Sequence, residues 1–375
     1  MSSTGCPSVP FLDLAADHRP LSAAFLRDIS EIIDSSAFIN GVAVREFEAE
    51  FAAWCGADHC VGLASGLDAI RLGLAAVGVG RGDEVIVPAM TFVATWEAVS
   101  QVGATPIPAE ILSGDYCIDP AAVEAAISPR TKAIVPVHLY GQSADLATLR
   151  RIAAAAGLAV VEDAAQAHGA HRSGERIGAV GFATAYSFYP GKNLGALGDA
   201  GALTTNDPEV ADRVRALREH GQRQKYHHDL IGWTARLDTI QAAALRTKLP
   251  HLQGWNERRR AAAASYSALL DGVGDLVLPP VAVGSSPVWH LYVIRTSDPD
   301  GLAAHLGSQG ISSGRHYPVP PHLTAAYADL GHGPGSFPVS EEVARECLSL
   351  PIFPSITEEQ IGRVSEAVRA WFDGG

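Results

Sequence analysis

The chain has 375 residues, of which 47% are hydrophobic, and this length predicts two domains with a sizeable buried core. Its formal net charge of -13 argues against nonspecific binding to nucleic acid or to an anionic membrane, so an anionic substrate would need a local cationic pocket. The five cysteines include no CxxC pair, which argues against a disulfide framework and against a zinc or iron–sulfur site.

The first 55 residues predict helices rather than a targeting segment. The N-terminus has no basic region followed by an apolar run, and no segment of the chain reaches about 18 uninterrupted apolar residues. We therefore expect a cytoplasmic protein that is not secreted and does not span a membrane. Apolar residues at helical spacing over residues 21–55, interrupted by a turn at residues 39–41, predict an N-terminal helical arm.

From Cys60 onward, short apolar runs alternate with alanine-rich and leucine-rich helical segments. Strands are predicted at CVGLA, EVIVPA, TPIPAEI, KAIVPVH and LAVVEDA, with helices between them over about 68–77, 95–102 and 146–156. Apolar strands that alternate with helices predict an α/β fold, in which a mostly parallel sheet is covered on both faces. Ligands of such sheets bind at the carboxyl ends of the strands.

The second half of the chain predicts a change of domain near residue 250. A helical segment ends at about Leu249, and LPHLQGWN is predicted as a turn before a long alanine-rich connecting helix. Beyond it, the strand WHLYVIRT and the closing amphipathic helix TEEQIGRVSEAVRAWF predict a smaller α+β unit. We expect an arm and large ligand-binding domain over 1–250, and a small C-terminal domain over 251–375.

The stretch AYSFYPGKNLGALGDAGAL, residues 185–203, carries the strongest chemical signal. A strand-like run ends in Ser187 and Tyr189, and a Pro-Gly turn then places Lys192 among small residues. A partly desolvated lysine has a lowered pKa and can form a Schiff base with a carbonyl group near neutral pH. Taken alone, the stretch also fits a flexible glycine loop with a surface lysine.

A carboxylate is predicted at a neighbouring strand end. Asp163 ends LAVVED, where a buried carboxylate needs a cation or hydrogen-bond donors, and a pyridinium nitrogen is such a cation. The alternative is a helix N-cap, a position at which Asp is favoured. Gln166 follows three residues later and could donate to a ring hydroxyl or cap a turn.

Two further segments predict contacts with a planar phosphorylated ligand. Ser65 and Gly66 follow a strand and open a helix, where free backbone N–H groups and the helix dipole bind phosphate; plain helix capping is the alternative. Phe92 follows the strand EVIVP and could stack on a ring or belong to the core. Together with Lys192 and Asp163, these residues predict pyridoxal 5'-phosphate as the cofactor.

Ten motifs then establish a family resemblance over nearly the whole chain. They include SGLDAI, GDEVIVPAMTFVATW, VEDAAQAHGA, SFYPGKNLGALGDAGAL, KYHH and GISSGRHYPVPPH. The sequence resembles the sugar aminotransferases named for DegT, DnrJ, EryC and StrS. The resemblance implies the fold type I of pyridoxal-phosphate-dependent transferases, with a mostly parallel seven-stranded sheet between helices and a smaller α+β domain.

The same resemblance implies roles for individual residues. It places Lys192 in a Schiff base with the cofactor, Asp163 at the pyridine nitrogen, and Gln166 at the ring oxygen. It assigns phosphate contacts to Ser187, Gly66 and Leu67, and ring stacking to Phe92. Thr234 stands where many members have an Asn that binds the phosphate across a dimer, and whether Thr234 makes that contact stays open. The substrate-binding residues that it implies are Tyr189, Lys225, Tyr226, His316 and Tyr317.

The expected reaction is a ping-pong transamination. L-glutamate supplies the amino group, and a nucleotide-linked 3-keto-6-deoxyhexose, with dTDP as the expected carrier, accepts it at C3. The alternatives are a C4 aminotransferase, a sugar dehydratase, and a non-catalytic regulatory protein with the same fold. Lys192 and the lack of clustered cysteines argue against the dehydratase, and the intact set of cofactor residues argues against the regulatory protein. The histidine pairs at 168/171 and 227/228 lack further ligands nearby, so no metal site is predicted.

The charge of a nucleotide diphosphate predicts how the chain assembles. Few cations other than Lys192 are expected within one subunit's site, whereas Lys225 and Arg236 flank an outward-reaching polar and aromatic segment. We therefore expect an obligate homodimer with two composite sites. Lys225 and Tyr226 of the other subunit complete each site, and Thr234 is an open third contact.

Overall fold

The computed structural model describes residues 8–179 and 183–374. The helices are α1 (Leu14–His18), α2 (Ser22–Ser35), α3 (Val42–Cys55), α4 (Gly66–Ala76), α5 (Ala94–Gln101), α6 (Pro120–Ala126), α7 (Leu146–Ala156), α8 (Pro208–Arg218), α9 (Thr239–Lys248), α10 (Leu252–Leu270), α11 (Pro299–Ser308), α12 (Pro338–Glu346) and α13 (Glu358–Asp373). The strands are β1 (His59–Leu63), β2 (Glu84–Pro88), β3 (Thr105–Ala109), β4 (Thr131–Ile134), β5 (Ala159–Asp163), β6 (His171–Arg172), β7 (Glu175–Arg176), β8 (Ala183–Ser187), β9 (Gly201–Thr205), β10 (Gln222–Gln224), β11 (His227–His228), β12 (Ser285–Ser286), β13 (Tyr292–Arg295) and β14 (Cys347–Leu350).

Seven strands of the described chain form the central sheet, in the order β1-β9-β8-β5-β4-β2-β3. The pairs from β3 to β8 are parallel, and β9 runs antiparallel to both β8 and β1. Strands β2, β5, β8 and β9 are buried along nearly their whole length because helices cover both faces. The predicted α/β fold with a mostly parallel seven-stranded sheet is confirmed.

The N-terminal arm packs directly behind the strand that leads to Lys192. Its helices α2 and α3 end in left-handed residues, Ser36 and Gly56, and the chain turns between them at residues 39–41 as predicted. Phe47 and Phe51 of α3 contact the ring of Phe188, with centroids 5.4 and 5.2 Å apart. Aromatic packing therefore fixes the arm against the end of β8.

The C-terminal part of the chain forms a smaller unit around the antiparallel pair β13–β14. Helices α10, α11 and α13 pack in this unit, with Tyr266 and Tyr292 in its core. The segment LPHLQGWN is a turn only at its start, since a 3-10 turn covers Leu249–His251 and α10 begins at Leu252. Burial of Trp255 and its neighbours outweighs the weak helix propensity of the glycine in this segment. The domain boundary near residue 250 stays a prediction.

Candidate active site

A cavity of about 680 Å³ lies at the carboxyl ends of the parallel strands, between the sheet and the C-terminal unit. Asp163 is the last residue of β5 and Ser187 the last of β8, so the parallel arrangement places both at the same edge. The predicted site residues that line the cavity are Gly66, Leu67, Phe92, Asp163, Gln166, Ser187, Tyr189, Lys192, His316 and Tyr317.

Lys192 lies in the middle of a tightly folded loop. The Lys192 N–H donates to the Tyr189 carbonyl at 2.8 Å, and a Cβ on Gly195 would lie only 2.2 Å from the Pro190 carbonyl oxygen. Only glycine permits this close approach at residue 195. The lysine is partly buried, and burial lowers the pKa of its amine from 10.5 to about 8, against the opposing effect of Asp163. Near neutral pH a useful fraction of this amine is an unprotonated nucleophile.

Asp163 is a buried carboxylate with room for a cation. Its Oδ2 accepts a hydrogen bond from the Thr95 hydroxyl at 2.8 Å, and its Oδ1 accepts one from the Ala165 N–H at 3.0 Å. No helix begins here, so the N-cap interpretation is wrong. Within residues 8–179 and 183–374, no lysine or arginine forms an ion pair with this side chain, which is 6% exposed and lines the cavity. A protonated ring nitrogen fits the unmet charge.

Gln166 and two aromatic residues form one wall of the cavity. The Gln166 Oε1 accepts from the Tyr140 N–H at 2.6 Å, and its Nε2 donates to the Tyr317 hydroxyl at 3.1 Å, so its amide orientation is fixed. The rings of Tyr317 and Phe92 lie 5.2 Å apart at 36°. Phe92 is 51% exposed, which excludes the core interpretation of this residue.

The start of α4 offers a cradle for phosphate. Ser65 caps the helix, since its hydroxyl accepts from the Asp68 N–H at 3.1 Å. A Cβ on Gly66 would lie 2.5 Å from the Ser187 Cβ, so the helix start and the end of β8 touch only because residue 66 has no side chain. This contact brings the free N–H groups of the first helical turn beside the Ser187 hydroxyl, a donor set that suits phosphate.

Three predicted site residues lie away from the cavity as the described residues of one chain form it. Lys225 and Tyr226 are exposed near the tip of the β10–β11 hairpin, with the Lys225 amine 5.1 Å from the Tyr226 ring. Thr234 is also exposed, and its Oγ1 lies 3.0 Å from Nε2 of His220. The chain's own site therefore does not include them. No cluster of three or more metal-binding side chains occurs in the part of the chain that the structure describes.

The cavity also contains one cationic side chain, Arg259, and a histidine that burial keeps neutral by lowering its pKa, His290, neither of which the sequence analysis assigned to the site. Arg259 of α10 is 2% exposed, and its Nη1 donates to the Ile352 carbonyl at 2.9 Å and the Trp289 carbonyl at 3.2 Å. Burial lowers the pKa of Arg259 to about 10, so the side chain stays a cation at neutral pH. His290 also lines the cavity, with its Nδ1 3.1 Å from the Asn193 Oδ1. Among the described residues that line the cavity, Arg259 is the one cation besides Lys192, which agrees with the expectation of few cations there.

The sequence profile described as the DegT/DnrJ/EryC1/StrS aminotransferase family matches residues 21–369. The chain belongs to this family. It is 51% identical over 365 residues to the dTDP-3-amino-3,4,6-trideoxy-alpha-D-glucose transaminase of Streptomyces venezuelae, covering 97% of this chain and 96% of that protein. It is also 51% identical over 362 residues to the erythromycin biosynthesis sensory transduction protein EryC1 of Saccharopolyspora erythraea, covering 96% and 99%.

A solved structure supports the same assignment. The crystal structure of S. venezuelae DesV in complex with a ketimine intermediate superposes with a TM-score of 0.96 at 51% identity, covering 98% of this chain and 99% of that one. Three predictions are confirmed by the family, its relatives and its solved structures, one of which contains the pyridoxamine form of the cofactor: the family, its pyridoxal phosphate cofactor, and the activity of a sugar-nucleotide aminotransferase. In the part of the chain that is described, no helix is long and apolar enough to cross a membrane.

Proposed function

We propose that this aminotransferase moves the amino group of L-glutamate to C3 of a dTDP-linked 3-keto-6-deoxyhexose, making a 3-amino-3,6-dideoxy sugar nucleotide. The observation that carries the proposal is the meeting of Lys192, Asp163, Gln166 and Ser187 with the start of α4 around one cavity. The choice of carrier and of C3 is supported by the similarity to the S. venezuelae transaminase, whose name specifies both.

The contacts of each cofactor-binding residue are consistent with one role in holding the cofactor. When bound, pyridoxal phosphate supplies a ring that withdraws electrons from the carbon that loses a proton. The carboxylate of Asp163 would hold a proton on the ring nitrogen, and Phe92 would pack against the ring. Ser187 and the N–H groups of Gly66 and Leu67 bind the phosphate.

The remaining two residues act at the reacting end of the ring. The Gln166 side chain would hydrogen-bond to the ring oxygen of the bound cofactor. Its amide is already oriented by hydrogen bonds to the Tyr140 N–H and the Tyr317 hydroxyl. Lys192 would hold the cofactor covalently through its Nζ until the amino donor displaced that bond, and the released amine of Lys192 could then accept and return a proton.

The substrate-binding residues divide between two chains in this proposal. Tyr189, His316 and Tyr317 line the cavity and contact the sugar from their own chain. Lys225, Tyr226 and Thr234 would come from a second copy, forming an obligate homodimer with composite sites. The proposal is supported by the exposure of two large apolar side chains, Tyr226 at 78% in the hairpin and Leu26 at 69% on the arm, which a second copy would cover.

Two measurements test the reaction. Purified protein incubated with pyridoxal phosphate should show a visible absorbance band, and L-glutamate should bleach it as the amine moves to the cofactor. A panel of dTDP-linked and UDP-linked keto sugars, with the carbonyl at C3 or C4 and with or without the 4-hydroxyl, then identifies the acceptor by mass detection. A band that does not respond to any amino donor would refute the proposal.

Two alternatives remain distinguishable by the same experiments. Amination of the 4-keto sugars alone would identify a C4 aminotransferase. A regulatory role, which the name of the S. erythraea relative raises, would require that Lys192→Ala removes the cofactor band and leaves the biological role intact. The cytoplasmic location stays a prediction.

A further inference from the structure

A second lysine is buried behind the loop that carries Lys192. Lys248, the last residue of α9, is 1% exposed. Its Nζ donates to the carbonyl oxygen of Gly195 at 2.6 Å and lies 2.7 Å from Nε2 of His18. The ring of Phe25 lies 5.7 Å from the same ammonium group. The side chain therefore joins α9, the N-terminal arm and the Lys192 loop at one point.

The charge of Lys248 is not balanced by a direct ion pair. Among the residues that the structure describes, no carboxylate lies within 4 Å of its Nζ, and Asp17 acts only at longer range. Burial lowers the pKa of Lys248 to about 8, and burial followed by the nearby ammonium lowers the pKa of His18 to about 4. The neutral imidazole is thus the acceptor. An apolar side chain of similar length would avoid this desolvation cost, so the ammonium is retained at an energetic cost.

The contact at Gly195 restrains the part of the loop that determines where Lys192 lies. The close approach of residue 195 to the Pro190 carbonyl closes a short segment with Lys192 in its middle. A second contact from α9 follows, because Gln241 Oε1 accepts from the Leu197 N–H at 2.8 Å. Gln241 and Lys248 are seven residues apart, two helical turns, and so project from the same face of α9. One helix face therefore supports the loop at two successive points.

We propose that Lys248 is a positioning residue for Lys192: its ammonium group fixes the Gly195 carbonyl and couples the reactive loop to His18 of α1. The inference rests on the proposed role of Lys192. Without the ammonium donor, the buried carbonyl of Gly195 loses its partner and the loop shifts to regain one. A displacement of about 1 Å at a reacting group costs about 100-fold in rate.

The first measurement uses cofactor-free protein. The pH dependence of Lys192 modification by acetic anhydride is followed by peptide mass spectrometry in wild type, Lys248→Met, Lys248→Arg and the control Lys132→Met. Lys132 is an exposed lysine on β4, outside the site. In Lys248→Met the midpoint for Lys192 should rise by about one pH unit, since a displaced loop admits water and weakens the burial that lowers the pKa of this amine. Asp163, His168, His290 and His316, which face Lys192, are unchanged in all four proteins.

The second measurement is the rate of the glutamate half-reaction. Lys248→Met should slow it by about 10-fold to 100-fold, and Lys248→Arg should recover most of the rate because it keeps a charged donor. Equal behaviour of Lys248→Met and Lys132→Met in both measurements would overturn the inference. If Lys248→Met does not fold, Lys248→Gln replaces it under the same criteria. The proposed function fails separately, through a Lys192→Ala variant that keeps the cofactor band.

Discussion

Replacing Gly66 by alanine tests the phosphate cradle at the start of α4. The new Cβ would lie 2.5 Å from the Ser187 Cβ and 3.0 Å from its Cα, whereas ordinary contacts begin near 3.4 Å. The Cα belongs to the backbone of β8, so the clash cannot be relieved by rotating a side chain. The helix start and Ser187 must therefore separate by about 1 Å, which removes the alignment of their donors on one phosphate group.

The expected loss follows from the hydrogen bonds involved. A hydrogen bond to a charged group contributes about 1.5–3 kcal/mol, and each 1.4 kcal/mol is tenfold in affinity, so losing one phosphate contact should weaken cofactor binding by about 10-fold to 100-fold. The assay should use pyridoxamine 5'-phosphate, which cannot react with Lys192, and unphosphorylated pyridoxamine. Gly66→Ala should reduce the preference for the phosphorylated compound.

Gly362 provides a matched control because it lies within α13 and a Cβ added there would meet no described atom within 4 Å beyond its own helical turns. Gly362→Ala should leave both affinities unchanged and raise the free energy of unfolding by about 0.5–1 kcal/mol, the usual gain in helix propensity. If Gly66→Ala bound the phosphorylated compound as tightly as wild type, or lost affinity equally for both compounds, the assignment of phosphate to this helix start would be wrong.

A hybrid dimer that pairs a Lys192→Ala chain with a Lys225→Glu chain should regain about half of normal activity if the β10–β11 hairpin enters the other chain's site. One site then carries both substitutions and the other carries none. Two equally damaged sites would show that the hairpin serves its own chain. Asp163→Asn should reduce the rate of the glutamate half-reaction by about 10-fold to 100-fold, because a charge-assisted hydrogen bond is lost. The hydrogen bond from Thr95 can remain, so circular dichroism should show an unchanged fold. An unchanged rate would count against the proposed role of Asp163 at the ring nitrogen. Burial, and to a smaller extent the charge of Lys192, lower the pKa of His168 to about 3. Below about pH 6.5 the unfolded chain therefore binds a proton at this residue that the folded chain excludes, and denaturant titrations should show the free energy of unfolding falling by about 1.4 kcal/mol per pH unit. The variant His168→Asn should lack that part of the pH dependence.

Much of the fold and part of the site could be predicted because their signals are local. The alternation of apolar runs and helical segments from Cys60 onward determines that the sheet is mostly parallel. In a parallel sheet the carboxyl ends of β5 and β8 lie at the same edge, independently of the conformation of the connecting loops. The Pro-Gly turn before Lys192 and the Ser-Gly helix start each span only a few residues. These features are sufficient to predict the cofactor without knowledge of any tertiary contact.

Tertiary structure decided which distant residues complete the cavity. Arg259 and His290 enter it from the C-terminal unit, and neither has a motif that marks it as part of a site. The sequence predicted that Lys225 serves the other subunit's site, but the exposure of this lysine in its own chain depends on how the hairpin packs. Nothing in the sequence distinguishes Lys248 from an ordinary lysine near the end of a helix. Its burial against Gly195 arises only when the arm, α9 and the loop meet, because a lysine's surroundings are determined by chain segments far from it in sequence.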